Sequence, residues 1–429
     1  MNDEITRVQL NNGLLVLLKE IHTAPLVSVW MWYRVGSRDE PPGMTGASHW
    51  VEHMMFKGTP KFPSGVLDKM IARQGGYWNA MTFLDWTTYF ATLPAGGENI
   101  ILELEADRLT NSIFDSTEIE SERNVIISER QGNENNPLFL LIEAVQRASF
   151  EEHSYGHEVI GNLADLQSMT RDQLHRHYSS YYIPNNAVLS IAGDFDPNEM
   201  LDQIRFLFED IPAGKLPPGA AKSEPPQEKE HRVKVEGPGE TTFIQLAYHV
   251  PPTTSRDFYS FTVLDSLLTG PSNLNLFGGG ISNTTSLLYQ RLVEKELVVS
   301  MAGSLQATID PFIYSILLTV HPRRKAKEVL VALDKEISDM QQTPPQQNAL
   351  TRAVKQARAL FAYGSESISN QAFWLGFSEM FDHYEWFEQY IERLSAVTPQ
   401  DVQHVARQYL RSANRVVGIY QPDGKRGIL

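Results

Sequence analysis

Cysteine is absent from the 429 residues. This excludes disulfide bonds, a thiolate metal site and a cysteine nucleophile, so a bound metal would need His, Asp or Glu ligands. No apolar run approaches the roughly 18 residues of a membrane-spanning helix, and the richest stretch, Leu26–Tyr33, is typical of a buried strand. The first residues carry no basic and apolar leader. We therefore expect no membrane partner, and a cytoplasmic protein or a mature form trimmed for another compartment such as the mitochondrial matrix.

Positive charge is also scarce, because 37 Lys and Arg face 52 Asp and Glu, for a net charge of −15. No cluster of basic and aromatic side chains offsets this, so we expect no nucleic-acid partner. Hydrophobic residues at 42% and charged residues at 21% are typical of a globular protein. An acidic surface of this kind would suit basic peptides or serve solubility alone.

The two halves of the chain share a signature at a constant offset of 228 residues. In each copy a threonine precedes a tyrosine, an asparagine and a short apolar run, which predicts a capped helix, a turn and a strand. Seven positions match without a gap: Thr170, Leu174, Tyr181, Asn186, Val188, Leu189 and Ile191, and then Thr398, Val402, Tyr409, Asn414, Val416, Val417 and Ile419. The match favours an internal duplication over a chance resemblance of two ordinary helix–strand units.

Residues 213–232 are rich in proline, glycine and charge and are typical of an exposed linker. They predict an N-terminal domain over 1–212, which contains the histidine motif described next, and a C-terminal domain over 233–429 without a metal site. Both halves alternate amphipathic helical stretches with strand-like runs: Gly97–Phe114, Thr117–Gln131, Lys325–Met340, Gln346–Phe361, Thr241–Val250 and Ile313–Val320. We predict an α+β fold of two homologous domains, each a mostly antiparallel sheet with helices packed on one side.

Two histidines four residues apart, His49 and His53, lie in an otherwise apolar stretch together with Glu52. Thr45 as N-cap predicts a short helix over 46–56, on which the three side chains form one narrow stripe. A solvated stripe usually carries Lys, Glu and Gln, whereas two histidines at this spacing can direct their nitrogens at one tetrahedral zinc ion. Glu52 lies beside them rather than at ligand spacing, so it could take a proton from zinc-bound water and hand it to a leaving amine.

A catalytic zinc site needs a third protein ligand and an open position. A second helix is predicted from Thr117, with a capping box to Glu120 and an end near Gly132. Its predicted inward stripe consists of Glu118, Glu122, Val125, Ile126 and Glu129. A buried carboxylate is costly unless it is paired or metal-bound, so Glu122 and Glu129 are both candidate third ligands, and the residues alone do not choose between them.

With a glutamate 76 residues after the second histidine and another seven residues before that one, the chain resembles the pitrilysin family of inverted-motif zinc peptidases. It most resembles the branch of the mitochondrial processing peptidase beta-like subunits and the bacterial two-subunit peptidases. Further matching stretches are spread over most of the chain: Gly75–Thr82, Glu105–Leu109, Tyr155–Gly161, Tyr182–Asn186 and Gly193–Asp194.

The resemblance implies Zn²⁺ as the cofactor, with His49, His53 and Glu129 as its ligands. It also implies that Glu52 is the general base and that Glu122 is a catalytic-site carboxylate behind the ligands. The implied activity is cleavage of unfolded peptides inside a closed chamber formed by four such domains.

The resemblance also assigns substrate binding to the segment Asn79, Ala80, Met81 and Thr82. This segment would be an edge strand that receives the peptide substrate as an added strand. An ordinary sheet strand is the alternative.

The second half departs from the family pattern. Catalytically complete members carry an Arg and, a few residues later, a Tyr, which hold the substrate backbone and stabilise the tetrahedral intermediate. Here Val293 stands at the position of the Arg, and Val299 or Ser300 at that of the Tyr. An oxyanion stabiliser is worth about 10²–10³ in turnover. The resemblance therefore implies a heterodimer in which this chain bears the zinc and a homologous zinc-less subunit supplies the Arg and the Tyr.

Two alternatives stay open. One is a non-catalytic scaffold subunit of the same fold, which predicts a degraded zinc motif, although ligands and base are all present here. The other is a self-sufficient homodimeric peptidase that clamps its substrate with another side chain, such as Tyr289 or Arg291. The glycine run Gly278–Gly280 is interpreted as either a loop at the mouth of the chamber or a plain surface turn.

Overall fold

The computed structural model describes residues 5–219, 221–275 and 280–424. The strands β1 to β11 are Ile5–Gln9, Leu15–Glu20, Leu26–Tyr33, Tyr77–Thr82, Thr87–Pro94, Ala187–Gly193, His231–Gly237, Phe243–Val250, Val298–Ser304, Phe312–Val320 and Arg415–Pro422. The helices α1 to α14 are Ala47–Met55, Leu67–Arg73, Glu98–Asn111, Ser116–Glu134, Pro137–Ser149, Leu163–Ser168, Arg171–Tyr181, Pro197–Phe208, Arg256–Leu268, Ala326–Gln342, Gln347–Tyr363, Ile368–Ser378, Tyr384–Ser395 and Pro399–Tyr409. Gly278 and Gly279 lie outside the described residues, so the loop interpretation of that run stays a prediction.

The strands form two sheets. The first has the order β1-β2-β6-β3-β5-β4 and the second the order β7-β11-β8-β10-β9. Each sheet contains one parallel pair, β2 with β6 and β7 with β11, and the other pairs are antiparallel. The α+β prediction is confirmed. Strand β4 lies at one end of the first sheet, and among the described strands it pairs with β5 alone.

The repeated signature adopts the same local structure in both halves. Thr170 caps α7 and Thr398 caps α14, each accepting a backbone N–H three residues ahead. Asn186 and Asn414 each donate to the carbonyl of the tyrosine five residues earlier, Tyr181 or Tyr409, at 2.9 and 2.7 Å. The strand that follows, β6 or β11, is the one that forms the parallel pair of its sheet.

The described residues group into two compact units. The first comprises the chain up to Gln131 with His157–Lys222 and Ser365–Phe387, and the second comprises the remainder. Helix α12 thus belongs to the first unit although it follows the linker, and helix α5 belongs to the second although it precedes it. None of the described helices has both the length and the apolar character of a membrane span.

Strand β3 is covered on both faces. Its alternate residues Trp30 and Trp32 contact Phe373 of α12, with ring centroids 5.5 Å apart in each case. Tyr33 points to the other face and packs on Tyr182 at 4.2 Å. This two-sided burial explains why the strand, apart from the buried Ser28, is an apolar run rather than an alternating one. Helix α12 therefore lies on the face of the sheet for which the sequence predicted no helix.

Candidate metal centre

Helix α1 carries three of the predicted site residues, His49, Glu52 and His53, on one side. The rest of the helix is core: Trp50, Val51, Met54 and Met55 are at most 1% exposed. Burial of these four side chains fixes the rotation of the helix about its axis. The two histidines are therefore held in place by apolar packing on the opposite side.

The start of α1 differs from the prediction. The N-cap is Gly46, in the left-handed region with φ of 91°, and Thr45 as N-cap was wrong. The Thr45 hydroxyl is committed elsewhere, because it donates to Asp165 at 2.7 Å. A side chain at Gly46 would be strained by its φ, and its Cβ would lie 2.6 Å from the carbonyl oxygen of Ile160.

Helix α4 supplies the carboxylates, and two details of its prediction were wrong. The capping box from Thr117 does not form, because the helix begins at Ser116 and the Asp115 carboxylate accepts the N–H groups of Thr117 and Glu118. The inward stripe is centred one position further round the helix, on Ile119, Glu122, Ile126 and Arg130.

Three predicted members of that stripe are not buried. Val125 is 46% exposed, and the side chains of Glu118 and Glu129 are 41% and 44% exposed. The physical reason is that the buried apolar residues of this helix are Ile119 and Ile126, at 1% and 0% exposed, and their burial sets its rotation. Arg123 donates to the carbonyls of Leu166 and Met169, at 2.5 and 2.9 Å, and Glu129 is left at the rim of the site.

The two helices bring together His49, His53 and Glu129. The Nε2 atom of each histidine lies 3.9 Å from Glu129 Oε2. The two imidazole rings are 4.7 Å apart between centroids and inclined at 72°. One ligand atom from each residue falls within 4.8 Å of the others, which is the convergence that a metal site requires. Glu122 lies behind His53, outside this group.

These three residues fit a zinc ion. Burial, together with the neighbouring His53, lowers the pKa of His49 to about 3, so its imidazole is neutral at pH 7 and can act as a ligand. Within the part of the chain that the structure describes, the buried Nδ1 of His49 has no hydrogen-bond partner. Two imidazoles and one carboxylate are the donor set of catalytic zinc sites that keep one position open.

Glu122 orients His53. Its Oε2 lies 2.9 Å from His53 Nδ1, and its Oε1 is 2.5 Å from Lys57 Nζ. Burial raises the pKa of Glu122, but the hydrogen bonds from Lys57 and His53 outweigh it and the net pKa is lowered. With Nδ1–H donating to this carboxylate, the lone pair on Nε2 faces Glu129. Lys57 is absent from the predicted set, although its spacing of four from His53 could have indicated it.

Glu52 is held by strand β4. Its Oε2 accepts a hydrogen bond from the Thr82 hydroxyl at 2.6 Å. Burial raises the pKa of Glu52, and the hydrogen bond from Thr82 and the charge of His53 offset part of that rise. A raised pKa makes the carboxylate a stronger base, which favours the uptake of a proton by a general base.

Comparison with known proteins places this site in a family. The model of the Insulinase (Peptidase family M16) domain matches residues 15–162, and that of the Peptidase M16 inactive domain matches residues 168–357. The chain belongs to peptidase family M16. The resemblance to pitrilysin-like zinc peptidases is thus confirmed at the level of the family, and the assignment to a two-subunit branch stays a prediction.

Individual M16 relatives match over most of the chain. An uncharacterized zinc protease of Streptomyces coelicolor is 27% identical over 96% of this chain and 89% of its own length. A probable mitochondrial-processing peptidase subunit beta of Arabidopsis thaliana is 28% identical over 69% of this chain and 56% of its own length. The crystal structure of a protease from Helicobacter pylori superposes with a TM-score of 0.90 at 25% identity, over 98% of this chain and 100% of that one.

Strand β4 of this M16 chain presents an open edge beside Glu52. Asn79 Oδ1 accepts the backbone N–H of Ala80 at 2.9 Å, so that N–H points away from β5. The same alternation turns the backbone of Thr82 outward, next to the carboxylate. Asn79 is exposed, Ala80 and Met81 are half-buried and Thr82 is buried. The structure thus places the predicted substrate segment at a sheet edge that reaches the site.

The positions that lack the Arg and the Tyr lie in the second unit. Val293 ends a short π-helical turn, Tyr289–Val293, and is half-buried. Val299 and Ser300 lie on β9, where Val299 is 55% exposed and the Ser300 hydroxyl donates to Thr319 at 2.8 Å. Arg291, the clamp considered for a homodimer, approaches Glu336 to 3.6 Å.

Replacing Thr82 with valine is expected to shift the pH dependence of catalysis upward. The hydroxyl donates to the ionised form of Glu52 and so lowers its pKa, and its loss raises that pKa further. The base must be deprotonated to act, so the acid limb of kcat/KM against pH should move to higher pH. Thr88→Val is the matched control, because Thr88 donates to the Met31 carbonyl and not to Glu52. Equal profiles for Thr82→Val and wild type would contradict the assignment.

Proposed function

We propose that this chain is the zinc-bearing subunit of an M16 metalloendopeptidase that hydrolyses unfolded peptides. The observation that carries the proposal is the convergence of His49, His53 and Glu129 with Glu52 alongside them. The two ligand histidines and the candidate base share one helix of two and a half turns, so their mutual positions are fixed by the backbone. A scaffold role is disfavoured by the same observation, since it would not require the donor set or the base.

His49, His53 and Glu129 would hold the zinc ion, which when bound supplies a Lewis acid that polarises a carbonyl and lowers the pKa of water. Glu52 accepts the proton of the attacking water and delivers it to the nitrogen of the leaving amine. Thr82 holds the Glu52 carboxylate in place through the hydrogen bond from its hydroxyl. Glu122 and Lys57 keep His53 in the tautomer whose Nε2 is free.

The edge of β4 supports a preference for unfolded peptides as part of this proposal. A substrate that pairs with the outward backbone of Ala80 must have its own backbone groups free, which excludes segments already paired in a folded protein. The Asn79 side chain accepts the hydrogen bond of the Ala80 N–H, and a substrate strand would take its place. Pairing along this edge would bring the scissile bond close to Glu52.

The proposal includes a homologous zinc-less partner. With valine, or valine and serine, at the positions of the Arg and the Tyr, this chain lacks the groups that would hold the substrate backbone and stabilise the oxyanion. A chamber closed by the two subunits, four domains in all, would place the partner's Arg and Tyr opposite this zinc site. The cytoplasmic location stays a prediction from the sequence.

The proposal is tested by mass spectrometry of unstructured peptides incubated with the zinc-loaded chain and a homologous subunit that carries the Arg and the Tyr. Internal cleavage is expected, it should stop with 1,10-phenanthroline, and added Zn²⁺ should restore it. Cleavage that continues after the metal has been removed would contradict the proposal. A folded protein with the same amino-acid composition as the peptides serves as a substrate control and should not be cleaved.

A further inference from the structure

Glu40 is a buried carboxylate that the mechanism above does not use. It is 2% exposed, and its two oxygens face the start of α1. Oε2 accepts the backbone N–H of Gly46 at 2.8 Å, and Oε1 accepts that of Ser48 at 2.7 Å. The side chain thus reaches across six to eight residues to cap a helix whose own N-cap, a glycine, has no side chain to do so.

The cap holds the first turn of α1, which contains His49. Backbone N–H groups at a helix start have no partner within the helix, and a carboxylate there also interacts favourably with the helix dipole. Glu40 accepts hydrogen bonds from the two N–H groups with two different oxygens. It therefore fixes the direction of the helix end and also satisfies its backbone donors. His49 directly follows Ser48, so a shift of this turn moves the first ligand.

Glu40 also connects α1 to α4. Its Oε2 lies 2.9 Å from His157 Nε2, at the start of a segment that ends at Met169. Arg130 of α4 donates to the carbonyl of Gly161 in that segment at 3.0 Å. At one end, this segment is held by Glu40, which caps the helix of the two histidines. Along its length, it is held by Arg130 and Arg123 of α4.

We propose that Glu40 is a positioning residue of the metal site, which sets the separation of the histidines on α1 from Glu129 on α4. It acts through the cap of α1 and through His157, and it touches neither ligands nor substrate. The inference rests on the proposed zinc site, and it adds a residue 9 positions before His49 to the set on which metal affinity depends.

The test is the zinc affinity of Glu40→Gln, measured by competition with a chromophoric chelator. The amide has nearly the shape of the carboxylate but sets an NH₂ group against one of the two backbone N–H groups. We expect zinc affinity to fall about tenfold, the lower end of the effect of outer-shell partners. The visible spectrum of the Co²⁺-substituted protein should change as well, because it reports the geometry of the ligands.

Asp196→Ala is the matched control, because Asp196 caps α8 in the same unit by accepting the N–H groups of Asn198 and Glu199. It should lower the Tm without changing zinc affinity or the cobalt spectrum. His157→Ala keeps the cap but breaks the connection, and it should weaken zinc binding less than Glu40→Gln does. This variant decides the matter if Glu40→Gln does not fold.

Wild-type zinc affinity in both Glu40→Gln and His157→Ala would overturn the inference and leave the proposed function intact. An equal loss in Asp196→Ala would also overturn it, since the effect would then reflect stability alone. A wild-type chain that binds no zinc would instead overturn the proposed function, and this inference with it.

Discussion

Glu52→Gln is expected to lower kcat for peptide hydrolysis by about 10³-fold in the zinc-loaded assembly, within the range of general acid–base catalysis. Glutamine keeps the size of the side chain and can still accept the hydrogen bond from Thr82, but it cannot take up the proton of the attacking water. KM should change little, because the proposed binding mode places the peptide on the strand edge rather than on this carboxylate. The measurement is steady-state hydrolysis of a fluorogenic peptide.

Zinc content should stay at one ion per chain in Glu52→Gln, since Glu52 is not among the three converging ligands. Glu103→Gln is the matched control, because Glu103 is an exposed carboxylate of the same unit that pairs with Lys61. Its activity should equal that of the wild type. Activity of Glu52→Gln within a few-fold of the wild type would remove Glu52 from the mechanism.

The second large effect is expected from the partner subunit. The chain alone should turn over peptides about 10²–10³-fold more slowly than a mixture with a homologous subunit that carries the Arg and the Tyr, which is what an oxyanion stabiliser contributes. Activity should rise with added partner and level off at a defined stoichiometric ratio. A partner with both residues changed, Arg to Ala and Tyr to Phe, should assemble without restoring activity.

Mixing the same partner with Glu52→Gln separates the contributions of the two subunits. This mixture should stay inactive if the base belongs to this chain and the oxyanion groups belong to the partner. Full activity of the chain alone, still abolished by Glu52→Gln, would favour the self-sufficient homodimer instead. Zinc binding without activity in any mixture would favour the scaffold.

The histidine motif could be interpreted from sequence because its information is local. Two histidines four residues apart on a helix share a face whatever surrounds them, and Glu52 follows from the same geometry. The choice between Glu122 and Glu129 is different, because the two lie seven residues apart on the same helix. The contacts that separate them, from His53 and Lys57 to Glu122, join positions up to 69 residues apart. Helical periodicity contains no information on such contacts.

The start of α1 shows the same limit. A threonine before a helix is a good N-cap by local rules, yet the cap comes from Glu40, and the chain turns at a left-handed Gly46. The local rule fails because tight packing against Ile160 leaves no room for a side chain there. What the sequence could indicate was a glycine next to the motif, which marks a turn without identifying the distant carboxylate.

The fold shows a similar division. The duplicated helix–turn–strand unit could be predicted from the sequence, because the residues that cap its helix and form its turn recur at one spacing. The grouping of α12 with the first sheet could not be predicted, because the apolar sequence of a helix does not indicate which sheet the helix covers. That grouping depends on aromatic contacts such as Trp32 with Phe373, which join residues more than 300 positions apart.

The most direct test of the account is diffraction at the zinc absorption edge from crystals of the zinc-loaded chain. The account predicts one anomalous peak per chain, about 2.0–2.2 Å from His49 Nε2, His53 Nε2 and a carboxylate oxygen of Glu129, with Glu122 still bonded to His53 Nδ1. A peak ligated by Glu122 in place of Glu129, or no peak between α1 and α4, would contradict it.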